Sequence, residues 1–84
     1  MATVWIVTAE HFRIPGIITS VHTSNAGAQI RALELVNQIL SDTSSDMKPE
    51  PATVENWLAV IDWLEDYHGA GHCYVDVSAH GLEA

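Results

Sequence analysis

Eighty-four residues, 48% hydrophobic and carrying three tryptophans, suit one globular domain and exclude a disordered tail. The net charge of −8, with Arg13, Arg31 and Lys48 as the only permanent cations, argues against direct binding to a phosphate backbone, because each phosphate contact needs a positive group to displace counterions. The apolar runs at 4–9 and 14–18 are far shorter than the ~20 residues that cross a bilayer.

The chain opens on TVWIVTAE (3–10), a β-branched and aromatic run that reads as a strand. Residues 11–13 connect it to IPGIITSVHT (14–23), a second strand with Pro15 and Gly16 near its start, and the two form an antiparallel hairpin. Ser24 or Asn25 caps a helix over 25–40 with Ile30, Leu33, Leu35, Val36 and Ile39 on its apolar side. Gly27 in its first turn points to close packing. The polar segment 41–51 (SDTSSDMKPEP) reads as a mobile acidic loop.

A second helix is expected over 53–68, with Trp57, Val60, Ile61, Leu64 and Tyr67 inward and Glu55, Asp62 and Asp66 outward. Gly69, Ala70 and Gly71 stop it. HCYVDVSAH (72–80) alternates, with Cys73, Val75, Val77 and Ala79 on one face and His72, Tyr74, Asp76, Ser78 and His80 on the other, as in a half-buried strand; residues 81–84 are expected to fray. The order is β-β-α-α-β. Its economical packing is an α+β fold, a three-stranded antiparallel sheet with two helices packed on one face, and the variant is a right-handed parallel crossover of the last strand.

Residues 42–66 hold seven of the eleven carboxylates (Asp42, Asp46, Glu50, Glu55, Asp62, Glu65, Asp66) against Lys48. On an ideal helix Asp62 and Asp66 are separated by about 6 Å of rise and Glu55 precedes Asp62 by about 10 Å, spacings comparable to steps between phosphates. No lysine or arginine interrupts these charges, although each neutralising pair would stabilise a helix by roughly 0.2–0.5 kcal/mol. Leu58, flanked by Asp62 and Glu65, adds an apolar contact amid the charge. Asp42, Asp46, Glu50, Glu55, Leu58, Asp62, Glu65 and Asp66 are therefore the candidate partner-binding residues, and the partner is a basic protein surface.

Catalytic and metal chemistry have weaker signals. The Gly-Ala-Gly break between His68 and His72 removes the helical geometry that would put both on one ion, and grouping His22, His72 and His80 beside Asp76 needs a particular strand order. Cys73 falls in the apolar register and reads as core. The segment 23–28 lacks the glycine spacing and lysine of a phosphate loop, and no G-x-S-x-G elbow is present. A non-enzymatic protein without cofactor or metal is expected. The absence of a basic leader at the N-terminus and of a second cysteine favours a cytoplasmic location.

The hairpin beginning TVWIVTAE, the two short helices and the run DTSSDMKPEPATVENWLAVIDWLED together resemble the small acidic anti-CRISPR proteins of phages and mobile elements. Those acting on type I surveillance complexes are the closest comparison. The resemblance implies a stoichiometric inhibitor that binds a Cas subunit and occupies a channel used for DNA or guide RNA; it designates no residue of its own. The alternative is a small structural or assembly protein that forms a homodimer through an edge strand, with Cys73 and Tyr74 as contacts.

Overall fold

The computed structural model describes residues 2–69 and 71–82. Three strands and two helices follow one another as β1 (Ala2–His11), β2 (Ile14–His22), α1 (Asn25–Ser41), α2 (Trp57–His68) and β3 (Tyr74–Leu82). The sheet is antiparallel throughout, in the order β2-β1-β3. β1 is thus the central strand, as its unbroken β-branched and apolar sequence suits.

The β1–β2 register changes between Ala9 and His11, opposite the segment holding Pro15 and Gly16. Gly16 has φ of +89°, a conformation that side chains resist and glycine accepts. This irregularity is confined to the hairpin end of β2.

Val7, Ala9, Cys73 and Val75 are buried on one side of the sheet, and α1 covers that side. α1 touches all three strands, whereas α2 packs on α1 and meets the sheet only at β3. Ala28 and Ala32, both fully buried, allow α1 to approach closely, and Leu35, Val36 and Ile39 fill the space between it, α2 and the strands. Ile30, expected on the apolar side of α1, is instead exposed.

Ser24 caps α1 by accepting a hydrogen bond from the Gly27 amide through Oγ at 3.1 Å. A β-carbon at Gly27 would lie 3.2 Å from that same oxygen and 3.6 Å from His22 Nδ1, so a side chain there would press on the capping hydroxyl and displace it by a few tenths of an ångström. At the other end, Thr43 Oγ1 donates to Ile39 O at 2.8 Å and Lys48 Nζ donates to Leu40 O at 3.4 Å, satisfying carbonyls left open by the helix terminus.

The connection after α1 is fastened along its length. The Asn37 carboxamide bonds both backbone groups of Ala52, accepting at 2.7 Å and donating at 3.2 Å. The Tyr67 hydroxyl donates to Ser44 O at 2.9 Å, and Lys48 Nζ also reaches Thr43 O at 3.3 Å. The expectation of a mobile loop overlooked these anchors, because each partner is distant in sequence or local only after the chain has folded.

α2 starts at Trp57, four residues later than expected. Asn56 Oδ1 accepts from the Thr53 amide at 2.7 Å and folds 53–56 into a turn. β3 likewise begins at Tyr74, because Gly71 at φ +89° and the His72 amide bonded to Gly69 O form a turn first. Gly81 and Leu82, expected to fray, pair with Thr3 and Ala2. The remaining two terminal residues and Ala70 lie outside the described residues.

Leu64 is fully buried where α2 meets the core. Leu64→Ala is expected to destabilise the fold by about 2–5 kcal/mol, read as a lower urea midpoint at unchanged denaturant dependence.

Candidate partner-binding surface

The carboxylates of α2 border an open groove of about 910 Å³ between this helix and the start of β3. Asp62, Trp63, Glu65 and Asp66 form one wall; Gly69, Gly71, Cys73 and Tyr74 form the other. Asp62 and Asp66 are exposed, and Glu65 is half-buried. Helical spacing places Leu58, which is 63% exposed, on the same side as Asp62 and Glu65.

Among the described residues the basic groups within 4 Å of a carboxylate are His11 at Asp42 and Arg31 at Glu34, so no cation neutralises Asp62, Glu65 or Asp66. The three permanent cations are engaged elsewhere. Arg13 lies over the Phe12 ring at 5.6 Å, Arg31 approaches Glu34 at 3.9 Å, and Lys48 binds main-chain carbonyls.

The other expected contact residues do not share this surface uniformly. Glu55 is exposed in the turn before α2, so its expected helical spacing to Asp62 does not exist. Asp46 and Glu50 are exposed in the connection between the helices. Asp42 is turned inward, where its Oδ2 accepts from His11 Nε2 at 2.8 Å. As the C-cap of α1, a carboxylate there opposes the helix dipole. The bond from His11 Nε2 satisfies one of its oxygens.

His11 belongs to a polar knot that fixes α2 relative to the sheet. Its Nδ1 accepts from the Arg13 amide at 2.9 Å, which leaves the proton on Nε2 facing Asp42. The Phe12 ring stacks with two imidazoles, with centroids 4.7 Å from His11 and 4.1 Å from His68. Thr43 Oγ1, whose own proton goes to Ile39 O, accepts from His68 Nε2 at 2.8 Å. Burial, and then the charges of His11 and His72, hold the His68 imidazole below its ordinary value. Sequence reading missed this knot, since residues 11, 42, 43 and 68 carry no shared motif.

Cys73 is fully buried beneath the groove wall. Burial pushes its thiol up to about 11, with Glu65 adding to the effect, so it remains protonated at neutral pH and offers neither a nucleophile nor an exposed cross-linking group. His22 and His80 lie on opposite sides of the sheet, paired with Trp5 and Val4 respectively. No group of three potential metal ligands occurs among the described residues. Comparison with protein-family models, curated proteins and solved structures gives no match.

Two outcomes are expected. The folded-state value of His68 lies below 6.5, so on acidification the unfolded chain takes up this proton first. The side chain's contribution is complete above pH 6.5 and declines as pH falls towards the folded value. Urea titrations from neutral pH down to about pH 5 should show a smaller loss of stability for His68→Gln than for the native chain. Cys73 should resist thiol reagents at mildly alkaline pH until the chain is unfolded, as followed by mass spectrometry.

Proposed function

We propose that this chain is a non-enzymatic acidic binding protein that occupies a basic, nucleic-acid-binding surface of a partner protein. The observation that carries this reading is the groove beside α2, where exposed Asp62 and Asp66 and half-buried Glu65 have no cation beside them among the described residues. Trp63 on the same wall, stacked on Tyr67 with centroids 5.2 Å apart, adds an aromatic surface suited to arginine side chains. Exposed Leu58 supplies an apolar contact. Three carboxylates on a rigid helix offer a cationic channel the charges it otherwise meets in a phosphate backbone.

The specific form of the proposal is an anti-CRISPR inhibitor that binds a Cas subunit of a type I surveillance complex and blocks target DNA. It draws on the resemblance in size, charge and element order, together with the unpaired carboxylates.

The test is competition between this chain and labelled target DNA for purified type I complexes. Native protein should displace DNA stoichiometrically, with affinity falling as salt rises. Asp62→Lys combined with Asp66→Lys should weaken binding by at least about tenfold while circular dichroism stays unchanged. Undiminished binding by that double variant would move the contact away from this groove.

A further inference from the structure

Charge is segregated along this chain in a way that singles out β2. Residues 11–33 contain no carboxylate and include Arg13 and Arg31, two of the three permanent cations. From residue 34 onward, ten carboxylates face Lys48 alone. Strand order puts β2 at one edge of the sheet and β3 at the other. β3 carries exposed Asp76 and begins at the acidic groove; β2 carries no charged group except the ionisable His22, whose Nε2 is engaged with Ser20 Oγ at 2.8 Å.

Beyond Pro15 and the irregularity at its hairpin end, β2 lacks the usual protection of an edge over residues 18–22. A strand of this length, nine residues, spans about 30 Å. No lysine or carboxylate interrupts it, and its irregularity is confined to the hairpin end, leaving 18–22 in regular register. Ile17 and Val21 are 64% and 63% exposed, with exposed Thr19 between them in the same alternation. They point away from the side that α1 covers.

We propose that β2 pairs antiparallel with β2 of a second copy, joining two sheets into one of six strands about a two-fold axis. An antiparallel pairing of identical strands is self-complementary. With Thr19 at the axis, Ile17 of each copy lies beside Val21 of the other on the open side of the sheet, forming two aliphatic cross-strand pairs.

Electrostatics selects the second copy as occupant. A polyanion is repelled by the net charge of −8, and a basic partner finds its carboxylates at the groove. Two copies of this chain repel each other least where carboxylates are absent, the stretch 11–33, in which β2 supplies the open sheet edge. Pairing at β3 would instead bring both Asp76 side chains and both grooves together. The inference stands apart from the partner reading, and in the dimer both acidic grooves remain free at the outer edges.

Sedimentation equilibrium of the whole chain, from low to high micromolar concentration and at two salt levels, tests it. The expected species has twice the 9.2 kDa mass of one chain and tightens with salt, because screening relieves net repulsion. Capture by a basic partner should respond to salt in the opposite direction. Thr19→Lys sets two ammonium groups opposite each other at the axis and should weaken the dimer by about tenfold or more, as should Val21→Lys. Ser78→Lys on β3 should leave the dimer intact. Circular dichroism checks folding, and if one β2 variant unfolds, the other decides. A monomer at every concentration, or a dimer insensitive to the β2 variants, overturns the proposal.

Discussion

Four segments of the chain are held together by the buried contacts around Thr43. Its hydroxyl joins the last turn of α1 to the last turn of α2, and His68 carries the connection through Phe12 to the β1–β2 hairpin and His11. Thr43 is 2% exposed and His11 is 4% exposed, the two buried polar residues among those described. Such groups are costly when unpaired and directional when paired. All the buried side-chain polar atoms described here have partners. Apolar contacts alone would let α2 slide on α1; these bonds specify one position.

That position determines the groove. α2 has little contact with the sheet apart from β3, so the wall formed by Asp62, Glu65 and Asp66 depends on how its C-terminal end is anchored. Tyr67, bonded to Ser44 O and edge-on to His68 at 5.0 Å, extends the same anchorage to the connection between the helices. Acidic side chains can be left without cations there because the helix is held by contacts on its other side. Fold stability and surface charge are handled by different residues.

The element order was legible because it is written in local pattern. The β-branched run of β1, the alternation from Cys73 to Val77 and the Ser24 cap each act within a few residues of where they are read. Boundaries were less legible where a side chain competes with the helix. Asn56 turns back to Thr53 rather than capping α2 forward, and that choice removed Glu55 from the helical face. Asp42 shows a second limit. Its carboxylate looks like any other acidic loop residue until the hairpin brings His11 to it, 31 positions away in sequence. Asp62 and Asp66 were easier, since a four-residue spacing fixes their common side as soon as the helix forms.

The uneven placement of charge gives a single chain a permanent electrical orientation. With ten of its eleven carboxylates at residue 34 or later, two arginines in the stretch before it, and the acidic groove at the β3 side of the sheet away from β2, the molecule experiences a torque as well as an attraction in the field of a cationic body. It turns its anionic end forward while still separated by roughly a Debye length, about 8–10 Å at physiological salt. Productive encounters are then a larger share of collisions than shape alone would permit, and this advantage would persist even if the residues that finally make contact were exchanged for others of the same sign.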